Sequence, residues 1–287
     1  MPRARVRVCS PTVNGLESPP DFTPCDAKKS RNQKFHKAME LSDGCEFIVN
    51  CTHTMNQAPP EVSHREAITL CSNVARVGAA LAVEHKAKLD ELKARKCDIQ
   101  RPDFLWHALL QSFGTMGRAA GWAGLSKPEN YNRIRFDALE TLSASERLPA
   151  AERVFRNGKV RMPAKKAQYL VGCFEVVQNL GGPEVARSRL LQQPGRGGKI
   201  EFLKQFPGIG NKYARNIFMD VYHPDFRDSI AIDARINSLS KFLGLRFQNY
   251  AQHEQFYLDA AHEAGLNGWE LDRLMFLYLD EFRARLK

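Results

Sequence analysis

The sequence predicts a mostly α-helical fold: two helical lobes with a cleft between them, and a minor β or irregular N-terminal extension. Three observations predict it. From about residue 63 onward, apolar residues recur at helical spacing. Proline and glycine clusters (Lys127-Pro128, Gly181-Gly182-Pro183 and Pro194-Gly195-Arg196-Gly197-Gly198) cut that pattern into helix-sized pieces. Neither an alternating βαβ pattern nor an internal repeat is evident.

Residues 1–62 read as an N-terminal extension or small subdomain, rich in Pro, Asp, Ser and Lys. Only short β-like runs occur there, at Arg5–Val8 and Cys45–Cys51. Residues 63–287 form the helical domain. Ser63-x-Arg65-Glu66 resembles a capping box and opens a long helical run to about Lys96. Ile68, Leu70, Val74, Val77, Leu81 and Val83 make its apolar stripe. Further helices are signalled at 102–113, 131–143, 164–179, 183–192, 198–205, 211–222, 233–243, 251–264 and 267–286.

The chain has 287 residues, long enough to bury a substantial core, and 43% of them are hydrophobic and 26% charged. No stretch approaches the roughly 20 uninterrupted apolar residues of a membrane helix. Met1 to Ser10 carry arginines with no apolar run behind them, so no secretory signal is expected. The expected location is intracellular, in cytoplasm and nucleoid or in a nucleus. A net charge of +10 favours a polyanionic partner, because Lys and Arg displace the counterions condensed on nucleic acid. The seven cysteines are scattered, odd in number and never spaced C-x-x-C. That argues against a disulfide framework or zinc ribbon and favours reduced thiols. The histidines show no H-E-x-x-H spacing, so no catalytic metal is expected.

The most informative segment runs from Phe202 to Phe218. An apolar helix end (Phe202, Leu203, Phe206) meets Pro207-Gly208-Ile209-Gly210, and a second helix begins at once with Ala214, Ile217, Phe218 and Val221 on one face. Two glycines around one aliphatic residue allow a tight turn with positive φ. Such a turn exposes backbone N–H groups at a helix N-terminus, which attracts an anion. In a basic protein the natural anion is a nucleic-acid phosphate. The plainer reading is a glycine-rich connector between two core helices. Ile209 is expected to point inward.

These residues resemble the helix–hairpin–helix/Gly-Pro-Asp DNA glycosylase superfamily, which includes endonuclease III-like and 8-oxoguanine glycosylases. The superfamily hairpin L-P-G-V-G-x-K is matched by Phe206-Pro207-Gly208-Ile209-Gly210-Asn211-Lys212. Its Asp, in an apolar V-D-T/V-H setting about twenty residues later, falls on Asp233 in Ile230-Ala231-Ile232-Asp233-Ala234-Arg235-Ile236. Asp103 to Ser112 resembles the helix that opens the superfamily's barrel. Ala164 to Leu170 followed by Gly181-Gly182 resembles the run before the hairpin, and Trp269 to Phe276 its closing helix. Roughly residues 103–287 match, and the hairpin-to-Asp block is the specific part.

The resemblance implies a DNA glycosylase that breaks the N-glycosidic bond of a damaged or modified base. Lys212 is implied as the nucleophile of an associated abasic-site lyase, with Asp233 as its partner and Gly208, Gly210 and Asn211 as the phosphate grip. A carboxylate beside C1′ stabilises the positive charge that builds on the sugar. An amine attacks C1′ only when neutral, and burial or a helix's positive end lowers a lysine's pKa. The plainer roles are a helix N-cap for Asp233 and a phosphate contact for Lys212. A flipped base also needs a wedge and a pocket. Gln111 and Phe113 are candidate wedges; Trp106, His107, Trp122, Tyr213 and Trp269 are candidate pocket residues. Lys165, Lys166, Arg196, Lys199 and Lys204 could contact phosphates.

Two departures stand out. No cysteine follows Cys173, so the superfamily's iron–sulfur quartet is absent, and Phe113 and Gly114 stand where its intercalating Gln would be. No organic cofactor is implied, although such hairpins often hold a monovalent cation through backbone carbonyls, which leaves room for one here. The expected partner is double-stranded DNA bound by a monomer, with no membrane. Two alternatives remain: a monofunctional glycosylase in which Asp233 activates water, and a non-catalytic DNA-binding module.

Overall fold

The computed structural model describes residues 64–94, 99–117 and 120–287, and among these all regular structure is helical. The N-terminal segment 1–62, with its two β-like runs, and the Ser63 cap lie outside the described residues.

Helix α1 (His64–Glu84) buries its Val74, Val77 and Leu81 stripe. By length and composition, Arg65–Glu84 could cross a membrane. In this fold the apolar stripe is covered by helices from the other end of the chain, α13 (Tyr250–Glu263) and α14 (Gly268–Leu277). The long helix expected over 63–96 breaks at His85, whose ring stacks on Tyr278 with centroids 3.6 Å apart. The remainder is a separate helix, α2 (Lys86–Ala94), held to α14 by a 2.6 Å ion pair between Lys93 and Glu270.

One lobe is built from the middle of the chain: α3 (Phe104–Thr115), α4 (Ala120–Leu125), α5 (Pro128–Tyr131), α6 (Phe136–Glu140), α7 (Ala144–Asn157), α8 (Pro163–Asn179), α9 (Pro183–Leu191), α10 (Gly195–Lys204) and α11 (Asn211–Met219). Its core is α3, nearly all of which is buried. Trp106 lies at 0% exposure, packs edge-on against Phe136 and Phe174, and donates its indole N–H to Ile134 O at 3.0 Å. Each large apolar side chain buried here contributes roughly 1.5–3 kcal/mol.

The second lobe joins the two ends of the described chain. It comprises α1 and α2 with α12 (Ala234–Phe242), α13, α14 and α15 (Leu279–Arg285). A 3-10 turn at Pro224–Phe226 and an extended stretch through Ile230–Asp233 cross from one lobe to the other.

Three further expectations change. The helix expected at 131–143 is two short ones, α5 and α6, because Pro128 starts a turn early and the chain bends through 132–135. Helix α7 was not anticipated. Its Ser143/Glu146 capping box is a start signal, but Pro149 interrupts the pattern from inside the helix. The helix expected over 267–286 is divided at Tyr278, whose backbone (φ −122°, ψ 37°) leaves the helical region.

Candidate active site

Helices α10 and α11 and the turn between them form the helix–hairpin–helix. Phe206 and Ile209 are buried and pin the turn to the core. Gly208 has φ +84°, and a Cβ there would meet Tyr169 Cδ2 at 2.6 Å and Phe113 Cε1 at 3.0 Å. Backbone sign and close packing therefore both demand glycine. Gly210 is the N-cap of α11 in extended backbone, with no side chain capping the helix. It is exposed, as is Asn211. The first-turn N–H groups of α11 thus face outward without a side-chain cap, as an anion site requires.

Lys212 stands in that first turn, half-buried. Burial holds its ammonium below the ordinary lysine pKa. The carboxylates of Asp233, Asp272 and Asp220 oppose that shift, and the Arg273 charge adds to it. Its Nζ lies 4.3 Å from the centroid of the Tyr213 ring. Asp233 is the N-cap of α12, its Oδ1 accepting from Arg235 N at 2.8 Å and Ile236 N at 3.0 Å. Both bonds use the same oxygen, so the cap does not consume Oδ2.

Lys212 and Asp233 line one cleft of about 350 Å³, together with Thr115, Asn216, Arg235, Asp272 and Phe276. The sequence pair thus meets in space, drawn from two helix N-termini in two lobes. A second chamber of about 340 Å³ shares Asp220, Arg273 and Phe276 with the cleft and adds Gln111, Met219 and Leu277. A third, of about 190 Å³, shares Thr115, Asn216 and Asp220 with the cleft and adds His107, Ser112 and Tyr213.

Several side chains in this site were not anticipated. Asp272, 3% exposed, accepts Ala231 N–H at 2.8 Å, and burial pushes its carboxyl up to about 6. Asp220 ends α11 and pairs with Arg273 at 3.1 Å. Phe276 is 39% exposed in the cleft, with the Arg235 guanidinium 4.1 Å from its ring centroid. Met162 is 49% exposed at φ 55°, a left-handed conformation that a non-glycine residue adopts at a cost. It caps α8 beside Arg161, whose side chain packs against Gly117 on the cleft wall. The exposed apolar side chain and its positive φ were signals that no spacing in the sequence carries.

Other expectations are corrected. Phe113 is fully buried against Tyr169 and Gly208, so it cannot project into DNA as a wedge. Trp106 belongs to the lobe core and lines none of these three chambers. Trp269 is 2% exposed, bonded through Nε1 to Met219 O at 2.7 Å, and adds only a wall to the second chamber. Trp122 is half-buried, edge-on to His107 and against Gly114, outside the cleft lining. Gln111 faces two chambers, a pocket position rather than a wedge. Among the proposed phosphate contacts, Lys166 is buried and donates to Phe113 O at 2.8 Å and Met116 O at 2.7 Å, which closes the end of α3. Lys199 is buried on Asp225 and Gln193 O, Lys204 pairs with Glu201, and Arg196 bonds Asp228 O and Ser229. Lys165 stays exposed.

The sequence matches no protein-family model, and no curated protein matches it. The fold is similar to two solved structures. One is the 8-oxoguanine DNA glycosylase of Methanocaldococcus jannaschii (MjOgg), at 19% identity and TM-score 0.52, covering 77% of this chain and 97% of that one. The other is Tm1821, the 8-oxoguanine DNA glycosylase of Thermotoga maritima, at 17% identity and TM-score 0.51, covering 74% of this chain and 96% of that one. At these identities the likeness is one of fold.

Proposed function

We propose that this chain, which shares the fold of those two glycosylases, is itself a DNA glycosylase with an associated abasic-site lyase activity. The observation that carries the reading is the meeting of Lys212 and Asp233 in one cleft beside an uncapped hairpin helix. Neutral Lys212 Nζ attacks C1′ of the target nucleotide. The C1′–N bond breaks, its electron pair leaves with the base, and the base takes up a proton. Asp233 stabilises the positive charge on the sugar ring as that bond lengthens. The adduct nitrogen sheds a proton and the C1′–O4′ bond breaks; the ring oxygen keeps the electron pair, takes up a proton as the C4′ hydroxyl, and a protonated imine is left between Lys212 and C1′. Removal of a C2′ proton then breaks the C3′–O bond and nicks the strand.

The rest of the site supplies binding. Gly208, Gly210 and Asn211 present backbone N–H groups to a phosphate. Met162 serves as the wedge, since an apolar tip among basic residues suits insertion between base steps. The extruded base enters beside Phe276, where Gln111 and Asp220 offer polar groups to its edge. The partner is double-stranded DNA carrying one damaged or modified base, bound by a monomer inside the cell. The first lesion to test is 8-oxoguanine, the base that both fold neighbours are named for.

One contact favours the monofunctional alternative: a lysine over the Tyr213 ring is stabilised in its charged, non-nucleophilic form. Borohydride trapping on the lesion duplex separates the two. An adduct lost in Lys212→Gln supports the lyase; base release with no adduct supports Asp233-activated water; no base release from any lesion in a panel sinks both.

A further inference from the structure

Helix α11, which carries Lys212, and the stretch that ends in Asp233 belong to different lobes, yet one buried ion pair joins them. Arg215 lies one turn beyond Lys212. Its Nε and Nη2 donate to Glu254 Oε1 and Oε2 at 2.8 and 2.5 Å, and its Nη1 donates to Asn211 O at 3.2 Å. Glu254 Oε1 also accepts the Ile230 N–H at 3.1 Å, three residues before Asp233. Tyr250 lies under the guanidinium, its ring centroid 4.3 Å away. Its hydroxyl accepts from Ile232 N at 3.1 Å and donates to Ile230 O at 2.8 Å. Both charged residues are buried, at 8% and 5% exposure. Arg196 Nη1 adds a second cation 3.8 Å from Glu254.

A buried ion pair is a poor source of stability, because desolvation offsets the attraction. Two groups that must act on one sugar carbon, by contrast, tolerate little error in their separation. We propose that Arg215 and Glu254 are positioning residues, a clasp that sets the distance between Lys212 and Asp233 across the cleft. The inference rests on the glycosylase reading. The clasp touches no substrate; it acts by bonding the first turn of α11 and the backbone of Ile230 to the same carboxylate.

The full chain is tested on a duplex carrying one 8-oxoguanine and on an abasic-site duplex, with single-turnover rate, DNA affinity and Tm measured for each variant. Glu254→Gln keeps an oxygen for Ile230 but loses the charged, two-point grip on Arg215. Its rate should fall while its affinity for the abasic duplex holds. The double replacement Arg215→Met with Glu254→Gln removes both buried charges while a Gln oxygen still accepts the Ile230 N–H, so it should keep a Tm near wild type. Its rate should stay down about 100-fold, the penalty of a reacting group displaced by about 1 Å. A double variant that regains rate along with Tm, or a Glu254→Gln whose rate is unchanged, overturns the clasp and leaves the glycosylase reading standing. A wild type inert on the abasic duplex and on every lesion of the panel, or an Asp233→Asn as fast as wild type, overturns both.

Discussion

The N-termini of α11 and α12 face the same cleft and are finished in opposite ways. At α11 the N-cap is Gly210, with no side chain to cap the helix, and the first-turn N–H groups are left for an outside anion. At α12 the N-cap is Asp233, whose Oδ1 takes two of those N–H groups. One helix start is open and carries a cation; the other is closed by the anion meant to face that cation. The same backbone dipole thus serves for binding in one place and for holding a carboxylate in the other.

The sharpest way to break this comparison is Asp233→Asn. Asparagine is as good an N-cap, so α12 should keep its start and Tm should hold. If the carboxylate is the chemistry, single-turnover base release should fall about 100- to 1000-fold. Lys212→Gln attacks the other side: the borohydride-trapped adduct should vanish while binding to an abasic duplex persists. The pH profile refines it. Burial lowers the Lys212 pKa, and only the neutral amine attacks. Adduct formation should therefore rise with pH and level off below the ordinary lysine range.

Smaller effects separate the two glycines of the open end. Gly208→Ala forces a Cβ into Tyr169 at positive φ and should cost about 1–3 kcal/mol, read as a lower Tm. Gly210→Ala meets nothing within 4 Å and should cost no more than about 1 kcal/mol. On the closed side, Asp272 holds its proton up to about pH 6 in the folded chain, whereas an unfolded aspartate loses it near pH 4. Between those values the folded state binds more protons, so stability falls as pH rises, and the penalty persists above pH 6. Asp272→Asn should remove it: equal stability at pH 4, and a gain of up to about 2–3 kcal/mol at pH 8, seen by thermal unfolding.

The hairpin and its Asp were legible because a short turn with fixed glycine chemistry writes itself into neighbouring letters. Phe206, Ile209 and Lys212 sit where the spacing puts them. The base chambers were not legible in the same way. Trp106 and Phe113 read as aromatic candidates beside a helix, but whether such a ring faces a pocket or the core depends on helix packing across α3, α8 and α11. Phe276 and Met162 carry no spacing signal; exposure alone marks them. Lys166 looked like a phosphate contact from its basic neighbours, while two carbonyls at the buried end of α3 take bonds from its ammonium. The breaks at His85 and Tyr278 were invisible for a related reason: the two rings stack on each other across nearly 200 positions, and neither interrupts its own local pattern.

The stretch Ile230–Ile232 takes its backbone partners from Glu254, Asp272 and Tyr250, side chains that arrive 18 to 41 residues later in the chain. Its shape is therefore written downstream, on α13, which lies outside the cleft lining, and on α14, which forms part of it. Drift in the coding of α13 would be felt as a change in aim at residue 233, so the evolutionary freedom of that helix is narrower than its place outside the cleft lining suggests.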